Sequence, residues 1–386
     1  MSKLTSPPKI TQAERKERVA KLCEGMDKAG VGATLIGPTT SLKYFAGFAW
    51  HPSERFTGAL IHKSGRIDII TPGFEKDKVA QVLGVPGEIH VWQEEESPYK
   101  LIANRLGANG KLAVDDQIAL FTFLGLRGAL GDERLTSGGP LINALRRQKT
   151  KSELALMQHA KTITLEGQRR AWTSLQDGVR ASEVEAFIDR EHKKLGGSGN
   201  IFCIVSFGED TSLPHGGDTD RVLKHGDAVL IDTGTSFDGY NSDITRSYVF
   251  GEPSADYVRV WDAEKRAQAA AFEAAKIGAP CEGVDAAARA SMGGEGFGPD
   301  YKLPGLPHRT GHGIGMDVHE APNLVRGDKT PLATGMCFSN EPMIVVPGKF
   351  GIRLEDHFYM DESGARWFTE PSFSAHEPFR GVSALD

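Results

Sequence analysis

Several acidic side chains and a run of histidines in the second half of this 386-residue sequence are spaced as a bound cation would require. In AVLIDTGTSFDGYNSDITRSYVF, two apolar runs flank Asp238 and Gly239, a dipeptide suited to the positive φ of a tight hairpin. With the turn there, Asp232 stands opposite Thr245 and diagonal to Asp243. Side chains alternate along a strand, so both aspartates fall on one face and repel unless a cation lies between them. A second hairpin is expected in NEPMIVVPGKFGIRLED, where Pro347, Gly348 and Lys349 form a three-residue loop. That register sets Glu341 across from Glu355, and like charges so placed destabilise a hairpin. Surface exposure would relieve them, but Met343, Val345, Ile352 and Leu354 beside them argue for burial, where an unpaired carboxylate is costly.

Between the hairpins lies HRTGHGIGMDVHE, with His308, His312 and His319 among glycines. Glycine permits close backbone approach, and imidazole is a common ligand for zinc, manganese, cobalt or iron. Taken alone, such a cluster is equally a set of turns and satisfied core histidines. Four carboxylates and one histidine form a harder donor set than a structural zinc site and suit two divalent ions about 3.5–4 Å apart. Two such ions can share a water, lower its pKa and neutralise the oxyanion formed by its attack, so hydrolysis is the expected chemistry.

The order of the motifs resembles the Xaa-Pro dipeptidase (prolidase) and Xaa-Pro aminopeptidase branch of the M24 metallopeptidases. The pieces are PHGG at 214, IDTG at 231, SDITR at 242, GHGIGMDVHE at 311, NEP at 340 and GIRLED at 351. The resemblance implies an α/β (α+β) fold class: an N-terminal creatinase-like α/β domain followed by a C-terminal pita-bread domain. It implies five metal ligands, with Asp232 and Asp243 on one ion and Asp243 and Glu355 bridging to a second that His312 and Glu341 complete. Glu341 would also move the proton of the attacking water. His319 would contact the scissile carbonyl or the tetrahedral intermediate, and His215 and His308 would line the proline side. Arg353 would hold a ligand carboxylate, and Tyr240 would support the aspartates from behind. Manganese is the first expectation for both ions, with cobalt, zinc or iron also accepted by this donor set. Three positions depart from the pattern: Ser339 and Met343, where Thr and Gly are usual, and His357, where Asp or an apolar residue is common. They are expected to reshape the pocket wall.

These residues need elements to carry them. A helix is expected from a capping box at Thr11 and Glu14 to Gly30, then strands at Ala33–Ile36, Gly58–Ile61, Ile67–Thr71, Ile89–Trp92 and Leu112–Val114. The composition turns basic at LRRQKTKS, and a second capping box, Thr150 with Glu153, opens a long helix. The boundary is placed there, giving domains 1–149 and 150–386. Two helices, strands at Phe202–Phe207 and Ala228–Asp232, helices around Tyr257–Ile277 and after Gly283, and a strand-rich end complete the second domain.

A formal net charge of −6 gives no basic field for nucleic acid. No run approaches about 18 apolar residues, and the N-terminus lacks a signal-peptide core, so neither a membrane nor export is expected and the cytoplasm is. Cys23, Cys203, Cys281 and Cys337 show no CxxC pairing and read as small core residues.

The expected reaction is dinuclear metal-dependent hydrolysis of the Xaa-Pro bond by a metal-bridging hydroxide, with a dipeptide as the favoured substrate. Proline's tertiary amide has no N–H and a fixed ring geometry, so it needs a dedicated pocket. Arg326 and Arg309 are candidates for a free carboxylate. The alternatives are an Xaa-Pro aminopeptidase on longer peptides, a metal-dependent hydrolase of a small non-peptide amide resembling ectoine hydrolase, and a binding protein that kept the fold without the chemistry. Methionine aminopeptidases lack an N-terminal domain of this size. In the prolidase branch that domain commonly joins a homodimer, which makes Trp50, His51 and Arg55 candidates to reach a neighbour's site.

Overall fold

The computed structural model describes residues 4–108 and 110–385. The chain divides into two compact units: Ile10–Arg146, and Arg147 onward together with the residues before Ile10.

In the first unit a mixed sheet is built from β1 (Ala33–Ile36), β2 (Gly58–His62), β3 (Ile67–Pro72), β4 (Glu88–Trp92), β5 (Leu112–Val114) and β6 (Leu135–Ser137), in the order β4-β3-β2-β1-β5-β6. Helices α1 (Gln12–Ala29), α2 (Thr40–Ala46), α3 (Lys76–Val82), α4 (Pro98–Leu106), α5 (Leu120–Leu130) and α6 (Gly139–Arg146) connect and cover the strands. The α1 boundaries follow local chemistry: the Thr11 hydroxyl accepts from the Glu14 amide, and Gly30 ends the helix at φ 66°. Leu35, Leu60, Ile70 and Leu112 bury fully between sheet and helices, each such side chain contributing about 1.5–3 kcal/mol.

The second unit opens with α7 (Lys151–Ser174), whose capping box is complete: the Thr150 side chain accepts from the Glu153 amide while the Glu153 carboxylate takes the Thr150 amide. Next come α8 (Ala181–Lys194), β7 (Phe202–Phe207), β8 (Ala228–Gly234), β9 (Ser236–Phe237), β10 (Tyr240–Asn241) and β11 (Ile244–Val249). Strands β7, β8 and β11 form an antiparallel sheet with β8 central. Val229 and Ile231 pack on the α7–α8 side, while Ala228 and Leu230 turn to the opposite core, the face that also carries Asp232. That core is closed by α9 (Ala255–Ala274) and α10 (Cys281–Gly294).

The remaining strands are β12 (Gly311–Gly313), β13 (Glu320–Leu324), β14 (Cys337–Asn340), β15 (Met343–Val346), β16 (Phe350–Arg353), β17 (Asp356–Asp361) and β18 (Gly364–Trp367). They make a five-stranded sheet, β13-β12-β14-β17-β18, and the separate hairpin β15–β16. The second unit is therefore two β systems, each with its own helix pair. Two expected boundaries shift: α10 starts at Cys281, before Gly283, and α9 ends at Ala274, before Ile277. Among the described residues no helix is long and apolar enough to cross a membrane, and all four cysteines are free.

Candidate metal centre

The first hairpin turns at Asp238 and Gly239, with φ 49° and 88°, and its register puts Asp232 opposite Thr245. Asp243 itself lies just before β11, outside the ladder. Its neighbour Ser242 is held by its amide to the Thr235 carbonyl and by a 2.6 Å hydroxyl contact with Thr164 on α7.

In the second hairpin, β14–β17 pairs Asn340 with Asp356 and β15–β16 pairs Met343 with Arg353. Glu341 and Glu355 fall opposite each other in the gap between these ladders. There the two strands part: the Glu341 amide donates to Thr310 and the Glu355 amide to Thr245. Glu341 is thus tied to the residue before β12 and Glu355 to β11. The start of β17 is pinned from below by buried Arg246, which donates to the Glu355 carbonyl at 3.0 Å and to Asp356 at 2.7 Å, while Gln268 donates to Asp356 at 3.0 Å.

His312 occupies the middle of the three-residue strand β12. A Cβ on Gly311 would lie 2.1 Å from the Ser339 carbonyl oxygen, and one on Gly313 would lie 2.6 Å from that of Glu320. Glycine on both sides is what lets β12 slot between β13 and β14. The His312 Nδ1–H donates to the Gly313 carbonyl at 2.9 Å, since a carbonyl can only accept, so Nε2 is the ring atom turned to the carboxylates. Nε2 lies 3.1 Å from Glu341 Oε1 and 3.7 Å from Asp243 Oδ2.

All five sequence-selected side chains come together. The donor atoms of His312, Glu341 and Glu355 lie within 4.8 Å of one another, as do those of Asp243, His312 and His319. Asp232 is close enough to Asp243 to share a hydrogen bond. Burial, then repulsion from Glu355 and Asp232, pushes the Asp243 carboxyl well up; burial and Glu341 do the same to Glu355. Burial also opposes ionisation of Glu341, but the hydrogen bond and charge of His312 outweigh it and hold Glu341 at about 2. Asp232 Oδ1, Asp243 Oδ1 and Glu355 Oε1 are buried with no hydrogen-bond partner. Unpaired buried carboxylate oxygens converging on one point fit divalent cations and little else.

This cluster forms one end of a cleft of about 780 Å³, walled also by His215, His308, Arg309, His319, Phe202, Val318 and Pro307. His308 donates through Nδ1 to the Arg309 carbonyl at 2.7 Å, and burial lowers its pKa. His319 meets the His312 ring edge-on at 4.2 Å and is held below its ordinary range by partial burial and by His312. Arg353 is fully enclosed. It hydrogen bonds the Asp232 carboxylate, the Thr245 hydroxyl at 3.1 Å and the Pro214 carbonyl at 2.9 Å. A smaller cleft of about 600 Å³ in the first unit is walled by Asp115, Asp116, Asp132, Thr136, Ser137 and apolar residues and holds no comparable donor cluster among the described residues. The carboxylate–histidine cluster of that unit, Asp68 with Glu88 and His90, is already neutralised by Arg105 and Arg66.

The structure refines three expectations. Tyr240 sends its hydroxyl to Glu153 at 2.8 Å and so braces the α7 cap. Arg326 pairs with exposed Asp300 away from the cleft lining, whereas Arg309 lines the cleft and donates to Asn323 at 3.0 Å. Ser339, Met343 and His357 are fully buried and absent from the described cleft wall, so they do not form its surface. Ser339 accepts from the His312 amide at 2.9 Å and donates to Glu341 at 3.1 Å. Sequence reasoning missed Thr245 as a support, although SDITR contains it; its hydroxyl donates to Glu355 Oε2 at 2.7 Å.

Residues 155–362 match the model of metallopeptidase family M24, and residues 18–148 match that of the creatinase/prolidase N-terminal domain. An Xaa-Pro dipeptidase of Lactobacillus helveticus is 30% identical over 90% of this chain and 95% of its own length. The crystal structure of dipeptidase PepE from Mycobacterium ulcerans superimposes with a TM-score of 0.87 at 32% identity, covering 98% of this chain and 99% of that one. A recombinant prolidase from Thermococcus sibiricus gives 0.85 at 30% identity, over 94% and 98%. These likenesses run through both halves of the chain and bring with them the creatinase-like and pita-bread folds, in a family whose members work with divalent metal ions. From its N-terminal domain to its acid-lined cleft, this chain belongs to metallopeptidase family M24.

Proposed function

We propose that this metallopeptidase hydrolyses the Xaa-Pro bond of dipeptides, with Asp232, Asp243, His312, Glu341 and Glu355 holding two divalent ions, manganese first among them. The observation that carries the reading is the set of buried, unpartnered carboxylate oxygens meeting the His312 Nε2 face at the end of the cleft. When bound, the ions supply an acidified water and charge to oppose the oxyanion. The Glu341 carboxylate accepts the water proton as the oxygen attacks the carbonyl carbon. It returns that proton to the proline nitrogen as the C–N bond breaks. His319, on the cleft wall beside His312, steadies the tetrahedral oxygen. Arg353 keeps Asp232 oriented. His215 and His308 line the proline side, and Arg309 faces the cleft as the cation for a free carboxylate.

The same reading includes domains 1–149 and 150–386, a homodimer and residence in the cytoplasm. Its support there is the resemblance and, for the boundary, the division of the compact units after Arg146.

The test is steady-state hydrolysis of Ala-Pro, Ala-Pro-Ala and Met-Ala-Ser by metal-free protein given back manganese, cobalt or zinc, with His312→Ala as control. Cleavage of Ala-Pro alone is expected. Cleavage of Ala-Pro-Ala would move the assignment to an aminopeptidase. If the ions bind and every proline peptide survives, the Xaa-Pro reading falls and a small-amide substrate takes its place.

A further inference from the structure

His357 follows Glu355 by two residues and pairs with Ser339 across β14–β17. Alternation therefore turns it to the same face as Glu355, toward the carboxylates. Its ring is completely buried, and neither Nδ1 nor Nε2 has a hydrogen-bond partner among the described residues. An unpaired polar group in such a place is destabilising, and an apolar side chain would avoid the penalty. Imidazole here needs a reason.

The surroundings supply one. His357 Nε2 stands 3.7 Å from Glu355 Oε1, an oxygen that also lacks a partner. That gap is too long for a hydrogen bond. Two donors each about 2.1 Å from a common ion, at angles of 90–120°, lie roughly 3.0–3.6 Å apart. The donor atoms of Asp243, Glu355 and His357 all fall within 4.8 Å of one another. The nearby Lys161 ammonium donates to the Asn241 carbonyl at 3.1 Å; it could serve only the ring's lone pair, and no such bond forms.

We propose that His357 is a further nitrogen donor to the metal centre, entering beside Asp243 and Glu355. The inference rests on the metal reading given above. It makes the cage two imidazoles and four carboxylates. An added imidazole favours zinc and cobalt over manganese, which reverses the order of ions put forward under the proposed function while keeping its ligands. The departure at this position then bears on which ion is loaded rather than on which peptide is cut.

The test uses the full-length protein, stripped and reloaded, with His357→Gln and His357→Val, the latter an apolar residue suited to a buried strand. Zinc and manganese are offered in competition and bound metal is counted. The zinc-over-manganese preference should fall by about ten-fold or more in both variants. In the cobalt-loaded wild type, proton NMR should show two hyperfine-shifted imidazole N–H signals protected from exchange, from buried His312 and His357. One of them should vanish in the variants. An unchanged preference and cobalt spectrum in folded variants would overturn the proposal, as would a single protected signal in the wild type, a measurement that needs no variant to fold. Failure of the wild type to bind either ion would sink the centre itself, which is a separate result.

Discussion

Thr245 has one hydroxyl and spends it on both halves of the cage. It donates to Glu355 Oε2 at 2.7 Å and accepts from Arg353 Nε at 3.1 Å, while Arg353 in turn holds Asp232. One proposed ligand from each β system is thus oriented through a single side chain. Thr245→Val keeps the shape and the β-branch but removes both bonds, leaving a guanidinium N–H and a carboxylate oxygen short of partners in a dry site. The expected outcome is metal retention weakened about 10–100-fold, as for other residues that orient ligands, measured by competition with a chromophoric chelator. Unchanged retention in the folded variant would remove Thr245 from this role. Ser339 works in parallel on His312 and Glu341, which explains how Ser can stand where Thr is usual: the function needs the hydroxyl and not the methyl.

Among the elements, the α7–α8 pair carries a titratable group unconnected with the site. His192 on α8 is fully buried against Gly167 of α7, where an added Cβ would come within 2.8 Å of the ring. Burial pushes its pKa down from 6.5 to about 4, with Asn200 and Asp189 opposing. The unfolded chain therefore binds a proton between about pH 6.5 and 4 that the folded chain refuses, so stability is full above this window and falls as pH drops through it. His192→Gln should remove a slope of up to about 1.4 kcal/mol per pH unit in that window, read by urea unfolding of metal-loaded protein at several pH values; equal slopes would contradict this. Hairpins and caps of this unit were legible beforehand because their signals are local. The Asp238–Gly239 turn sets the Asp232–Thr245 register, and Thr150 with Glu153 starts α7. What escaped depends on distant partners. The chain could not disclose that the strands part at Glu341 and Glu355 to meet Thr310 and Thr245, nor that Tyr240 reaches Glu153. β6, three residues with mostly exposed side chains, has no apolar pattern to announce it.

At the scale of the whole molecule, the carboxylates gather where the two β systems of the second unit meet. Asp232 and Asp243 come from the β7–β8–β11 side, Glu341, Glu355 and His312 from the other, and each side rests on its own helix pair. The bridge between Thr245 and Glu355 joins them across this seam. Without cations, the carboxyls must repel one another or take up protons at the point where the two sides should close; with the proposed cations, the same residues would tie them together. On the proposed two-ion reading, metal binding would be a folding contribution as well as a catalytic one, worth about 2.7 kcal/mol at a hundred-fold excess over Kd. Chelation should consequently loosen β8, β11, β12, β14 and β17 together while leaving the sheet of Ile10–Arg146 as it was. Hydrogen exchange read by mass spectrometry, before and after stripping and again after reloading with manganese, resolves the two units. Protection lost and regained along the seam alone is the expected result. Uniform change across both units would mean that the ions do not act through this junction, and no change would mean that the carboxylates are neutralised in some other way.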